Sequence, residues 1–221
     1  MTTEIQIPIG SIALAGSLVV PPHAIGLVMF AHGSGSSRHS PRNRHVAAIL
    51  NEHRLATLLF DLLTLDEERI DAIDATLRFD VEMLAERLVE ATDSVAHLPG
   101  LEGLPIGYFG GSTGAAAALL AAARRPELIA AVVSRGGRPD LASRALAAVR
   151  APTLLIVGGA DPWVLQVNRV AASQLTIEHR VVVVPNATHL FEEPGALDQV
   201  AQLAAGWFVD HLAAAHVKHA S

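Results

Sequence analysis

The fold turns on residues 104–123, LPIGYFGGSTGAAAALLAAA. The apolar run Leu104–Phe109 passes directly into Gly110-Gly111-Ser112-Thr113-Gly114, and an Ala-rich and Leu-rich segment of helical composition follows. This reads as strand, tight turn and helix, with a GxSxG motif on the turn. The sharp turn is expected to strain the backbone at Ser112 and to lift its hydroxyl above the sheet edge. Glycines two residues on either side let strand and helix approach without Cβ clashes. GxGxxG cannot be laid on these residues, so the dinucleotide fingerprint is excluded.

Outward from this unit the pattern repeats. Short, largely apolar runs lie at 25–30, 55–60, 128–134, 153–158 and 179–185. Strands apolar on both faces belong in a parallel sheet covered by helices on each side. Helix-period segments fall near 42–53, 77–97, 113–125, 139–149, 162–175 and 195–215. Before them, TEIQIPI (3–9) alternates, and SIALAGSLVV (11–20) continues an extended pattern, which predicts an antiparallel hairpin with Pro8 on an edge strand. The expected architecture is one α/β domain over residues 1–221, a mostly parallel, doubly wound sheet with an N-terminal hairpin.

Composition narrows the function. A chain of 221 residues that is 51% hydrophobic can build a full core without disulfides or metal. The absence of cysteine removes disulfide frameworks, thiolate metal sites and a cysteine nucleophile together. A net charge of −6 argues against a phosphate-tracking nucleic-acid binder. The start MTTEIQ has no basic region, and the apolar stretch after Gly16 is broken by Pro21-Pro22 and Gly26. The expectation is therefore no signal peptide, no membrane span and a cytoplasmic protein.

In a doubly wound sheet, ligands sit beyond the carboxyl ends of the strands, so the residues just after each strand carry the chemistry. A serine hydroxyl is a weak nucleophile until a base takes its proton. The run TLLIVG ends in Gly159-Ala160-Asp161-Pro162, and HRVVVVP ends in Asn186-Ala187-Thr188-His189. Ser112, Asp161 and His189 thus follow the order nucleophile, acid, base. Asp161 also reads as a helix N-cap ahead of Pro162, and His189 is one of eleven histidines. Asp140, inside RPDLAS, is a rival acid that the helix dipole alone accounts for.

Two backbone donors are expected to face a developing oxyanion. One is the Thr113 N–H at the helix N-terminus, and the other is the Ser34 N–H in Ala31-His32-Gly33-Ser34-Gly35-Ser36-Ser37, with His32 bracing that loop. Arg135 and Arg138 follow a strand end, and Arg38, Arg42 and Arg44 flank the oxyanion loop. They read either as an anchor for an anionic substrate or as solvated loop charge. Residues 61–80 form a long polar connection expected to wall the pocket. HExxH and GxxxxGK[ST] are absent, so no metal and no cofactor are proposed. His211, His216 and His219 are read as a solvated tail outside the site.

On HGSGSS, GGSTG, GGADPWV and the NATH loop, the chain resembles the α/β-hydrolase superfamily over essentially its whole length, and most closely the small branch around dienelactone hydrolases and carboxylesterases. The resemblance implies a three-layer α/β-hydrolase fold and a hydrolase of small carboxylic esters working through an acyl-enzyme, with Ser112 as nucleophile, His189 as base and Asp161 as orienting acid. Only Arg135-Gly136-Gly137-Arg138 separates a strand from the next helix where larger relatives insert a lid, which implies no lid domain and an open pocket. Dienelactone hydrolases proper use a cysteine nucleophile, whereas this chain has Ser112, which shifts the expectation toward ordinary ester hydrolysis. Lactone or thioester hydrolysis with the same triad, and a non-catalytic binding module on the same fold, remain as alternatives.

Overall fold

The computed structural model describes residues 1–219, with side chains described through Ala215. His216 and His219, expected as a solvated tail, lie outside the described side chains. The chain opens with an antiparallel hairpin of β1 (Thr2–Ile9) and β2 (Ile12–Val19). Gly10 takes φ +51° in its two-residue turn, where a side chain would be strained. There follow β3 (Gly26–Ala31), α1 (Pro41–Glu52), β4 (Leu55–Phe60), α2 (Leu65–Asp74) and α3 (Val81–Val95). Then come β5 (Ile106–Gly111), α4 (Thr113–Arg124), β6 (Ile129–Arg135), β7 (Thr153–Gly158), α5 (Pro162–Ala172), β8 (His179–Val184) and α6 (Ala196–His219).

The eight strands form one sheet in the order β1-β2-β4-β3-β5-β6-β7-β8. The β1–β2 and β2–β4 pairs are antiparallel and the others parallel. Pro8 sits on the edge strand, where its missing N–H costs no ladder bond. The chain steps outward from β3 to β4 and returns to place β5 on the other side of β3. That reversal opens a crevice between the carboxyl ends of β3 and β5.

Because successive strand residues face opposite ways, each central strand feeds two cores. Leu27, Met29, Ile106 and Tyr108 pack with α3 and α4 on one face, while Val28, Phe30 and Phe109 pack with α1 and α6 on the other. Ala115 through Ala118 are fully buried, so α4 lies close against the sheet. Fully buried Leu50 and Phe208 each contribute roughly 1.5–3 kcal/mol of hydrophobic stabilisation. No described helix is long and apolar enough to cross a membrane.

Three segments differ from the sequence reading. The connection 61–80 contains α2, started by a capping box in which Glu67 N–H bonds the Thr64 hydroxyl and the Glu67 carboxylate accepts the Thr64 N–H. The helix expected over 77–97 begins with a 3₁₀ turn at Leu77–Phe79 and restarts as α3 because the Asp80 side chain caps the Met83 N–H. The helix expected over 139–149 is two 3₁₀ turns, Pro139–Ala142 and Leu146–Ala148. That segment must return from the carboxyl end of β6 to the start of β7 at Thr153. The 3₁₀ geometry covers more distance per residue, about 2.0 Å against 1.5 Å.

Candidate active site

Ser112 lies between β5 and α4 with φ +50° and ψ −121°. Holding a non-glycine residue there costs on the order of 1–3 kcal/mol, and the surroundings must enforce it. Ser112 N–H donates to the Arg135 carbonyl at 3.2 Å, and the Ser112 carbonyl accepts from Arg138 N–H at 3.1 Å. A Cβ on Gly110 would lie 2.4 Å from Ala115 Cα, and one on Gly114 would lie 2.2 Å from the Ala31 carbonyl oxygen. Both positions are confined to glycine by backbone that cannot move aside.

Asp161 and His189 meet. Asp161 lies three residues past the end of β7 and caps α5, its Oδ1 accepting the Val164 N–H at 3.3 Å. Its Oδ2 lies 2.9 Å from His189 Nδ1. One carboxylate oxygen therefore caps the helix while the other meets His189. A carboxylate only accepts, so His189 Nδ1 carries the proton and Nε2 is left as the basic nitrogen. The His189 loop is seated on β7, since a Cβ on Gly158 would lie 2.3 Å from the Ala187 carbonyl oxygen. Phe191, 1% exposed, anchors its far end.

His189 and Ser112 are linked through the backbone of Arg135-Gly136. A Cβ on Gly136 would lie 3.2 Å from the His189 carbonyl oxygen and 3.5 Å from its Nδ1, and Gly136 follows Arg135, which holds the Ser112 N–H. Neither the Ser112 hydroxyl nor His189 Nε2 has a hydrogen-bond partner among the described residues.

The loop after β3 lies against the nucleophile. A Cβ on Gly33 would lie 3.1 Å from Ser112 Cβ. His32 accepts the Leu62 N–H at Nε2 (3.1 Å) and donates from Nδ1 to the Gly33 carbonyl (3.1 Å), so both ring nitrogens brace the loop. Burial lowers the His32 pKa and keeps the ring neutral. The Ser34 N–H, expected to be free, donates instead to Thr113 Oγ1 at 3.0 Å. The sequence reading took Thr113 for its N–H and missed its hydroxyl. The signal was a hydrogen-bonding side chain directly after the nucleophile. Thr113 is the first residue of α4, where N–H groups have no intrahelical partner.

The arginines separate. Arg138 is clamped by Asp140, with Nε to Oδ1 at 2.9 Å and Nη2 to Oδ2 at 2.8 Å, and lies 4.5 Å above the Trp163 ring. This occupies both the expected substrate arginine and the rival acid. Arg38 pairs with buried Asp61, and an Arg44 nitrogen lies 2.6 Å from His39 Nδ1. Arg135 has no such partner among the described residues: its Nε and Nη1 are shielded from solvent and unbonded. Burial, with the charge of Arg42, holds its pKa down to about 10.

A cavity of about 530 Å³ opens beside the loop, lined among others by Gly33, Ser34, Arg42, Leu62, Glu68 and Arg78. Several of these belong to 61–80, which forms the expected wall. Arg78 is held there by its ion pair to buried Asp71. No three His, Asp or Glu side chains among the described residues are grouped to hold a metal ion.

The chain is 57% identical to a solved dienelactone hydrolase from Anabaena variabilis, with a TM-score of 0.95 over 96% of this chain and 98% of that one. The esterase domain of a Rhodothermus marinus protein superposes with a TM-score of 0.76 over 96% and 99% of the two chains, at 17% identity, a likeness of fold alone. A Mycobacterium tuberculosis protein with a provisional phosphoribosyl transferase name is 56% identical over 209 residues, which are 95% of this chain and 46% of that protein. The chain thus spans about half the length of the curated relatives it matches. Residues 61–213, which hold the Ser112 turn, the Asp161 cap and the His189 loop, match the Dienelactone hydrolase family, and to that family the chain belongs.

Proposed function

We propose that this chain is a serine hydrolase that cleaves small carboxylic esters through an acyl-enzyme. The observation that carries the reading is the Asp161–His189 contact of 2.9 Å at the same sheet edge as a Ser112 held at φ +50°. Ser112 Oγ attacks the carbonyl carbon while His189 Nε2 takes its proton. The carbonyl π electrons move to oxygen, and the Thr113 N–H and the positive end of α4 stabilise that charge. The C–O bond to the alcohol breaks as His189 returns the proton to the leaving oxygen. Water then repeats the sequence on the acyl-serine, releasing the acid and restoring Ser112.

In this mechanism Asp161 orients the imidazole and balances its transient charge. Ser34 N–H serves as second oxyanion donor when the Thr113 hydroxyl releases it or shares it. Family membership and the Anabaena relative's name favour lactones as a second substrate class, because ring-opening uses the same attack and the same oxyanion site. The phosphoribosyl transferase name belongs to a protein of which this chain matches less than half.

Labelling with a fluorophosphonate, with the modified residue located by mass spectrometry, tests the reading. Modification at Ser112, absent in Ser112→Ala, is expected. A folded wild-type protein that does not label would point to a non-catalytic binding module.

A further inference from the structure

The amide of Asn168 is a polar group in an apolar place. The residue lies on α5 with no exposed surface. One hydrogen of Nδ2 goes to the Val164 carbonyl, one turn earlier in the helix, at 2.8 Å, and the other to the Gly137 carbonyl, 31 residues away, at 2.9 Å. The bond within the helix fixes the rotamer and aims the second hydrogen out of α5. Oδ1 is shielded and has no partner among the described residues.

Both acceptors stand next to groups that hold the proposed triad. The N–H of Val164 is the donor that Asp161 Oδ1 accepts in capping α5, at 3.3 Å. Gly137 lies between two backbone anchors: the Gly136 N–H donates to the Ile156 carbonyl at 2.8 Å, and the Arg138 N–H donates to the Ser112 carbonyl at 3.1 Å. Gly137 is also pressed against α4, since a Cβ there would lie 2.6 Å from Ala115 Cβ and 2.0 Å from Ser134 Oγ. One amide therefore bridges the helix that Asp161 caps and the loop that holds the Ser112 carbonyl.

Stability alone does not call for an amide here. Leu, of the same branched shape, would replace one unpaired buried acceptor, Asn168 Oδ1, by another, the carbonyl of buried Gly137, and would remove the cost of desolvating the amide. What Leu cannot do is tie α5 to the loop at 136–138. Asp161 follows β7 and Ser112 follows β5, with β6 between them, so their spacing depends on ties across the sheet edge. A misplacement of about 1 Å is enough to cost on the order of 10²-fold in rate.

We propose that Asn168 is a positioning residue of this site: its amide fixes α5, and with it the Asp161–His189 pair, at the separation from Ser112 that proton transfer requires. The proposal rests on the serine hydrolase reading above and extends it to a side chain that touches neither the substrate nor the triad side chains. Asn168 acts through two main-chain carbonyls, one on each arm of the site.

Hydrolysis of 4-nitrophenyl acetate by Asn168→Leu tests it. In folded protein, kcat is expected to fall by about tenfold or more with KM within about twofold of wild type, and fluorophosphonate labelling of Ser112 should slow in parallel. Asn168→Gln, which keeps the donors on a longer arm, should recover part of kcat. Asp161→Asn should cost less in the Asn168→Leu background than in wild type, because the two residues act through one arm. If Asn168→Leu fails to fold, Asn168→Ala decides by the same measurements. A folded variant with wild-type kcat, or an Asp161→Asn cost that is the same in both backgrounds, makes Asn168 a structural residue only and overturns the proposal while the hydrolase reading stands. A folded wild-type protein that neither labels at Ser112 nor cleaves the ester overturns the hydrolase reading itself, and the proposal falls with it.

Discussion

The hydroxyl of Thr113 accepts the backbone N–H of Ser34 at 3.0 Å, joining positions 79 residues apart. One hydrogen bond thereby fixes the first turn of α4 to the loop after β3, the two pieces of backbone that flank Ser112. Thr113 is 4% exposed and Ser34 is half-buried, so the bond is covered from the helix side. Thr113→Val keeps the shape and removes the acceptor, which unties the Ser34 N–H from the first turn of α4. A fall in kcat larger than any rise in KM, with recovery in Thr113→Ser, is expected in steady-state ester hydrolysis. Equal kcat for Val and Ser variants would refute the link.

The triad assignment makes a graded forecast. Ser112→Ala should lower kcat by on the order of 10⁶ and Asp161→Asn by on the order of 10⁴, if the residues act as in the serine proteases that define this chemistry. Asp140→Asn should stay within a few-fold of wild type, because Asp140 serves Arg138 at 2.8 Å and not His189. Rates on 4-nitrophenyl acetate for the three variants separate the two acids directly.

The glycine at 114 has no room for a methyl group. Gly114→Ala would set carbon 2.2 Å from the Ala31 carbonyl oxygen and 2.5 Å from that of His32, both main chain. A loss of more than about 3 kcal/mol, or failure to accumulate folded protein, is expected in chemical denaturation. Gly206→Ala, inside α6 with open space at its Cβ, is the control and should raise stability by about 0.5–1 kcal/mol.

His32 sets a pH dependence. Burial lowers its folded-state pKa below the ordinary 6.5, so the unfolded chain binds the proton first. Its stabilising contribution is complete above pH 6.5 and declines as the pH falls below that value toward the lowered folded pKa. His32→Gln lacks this titration. The Tm advantage of wild type over the variant should therefore narrow between pH 8 and pH 5, and a constant difference would show that His32 is not buried neutral.

Glu67 acts in the same direction at lower pH. Its hydrogen bond to Arg87 holds its pKa at about 2 against an ordinary 4.5. The stability it confers is present above 4.5 and is lost as the pH falls toward 2. Glu67→Gln retains an acceptor for the Thr64 N–H, so it isolates the charge. A deficit of about 1 kcal/mol near neutral pH that closes in acid is expected from urea titrations.

What the amino-acid sequence determined was everything governed by local period and turn chemistry. The strand-turn-helix at 104–123, the hairpin with Pro8 on its edge and the order of Ser112, Asp161 and His189 were legible because each is written within a few residues. Even α2 was written there, in the Thr64–Glu67 capping box, but the acids around it read as loop. What only the tertiary structure decided was which partners those residues keep. Asp140 and Arg138 neutralise each other, Asp161 divides its two oxygens between a helix and His189, and Thr113 takes the Ser34 N–H. Among the described residues Arg135 is left without an acid. Such pairings join residues far apart in the chain, and they are set by the strand order that brings β3, β5, β6 and β7 to one edge. No sequence window spans that distance, so five similar loop arginines became distinguishable only once the sheet had placed their carboxylates.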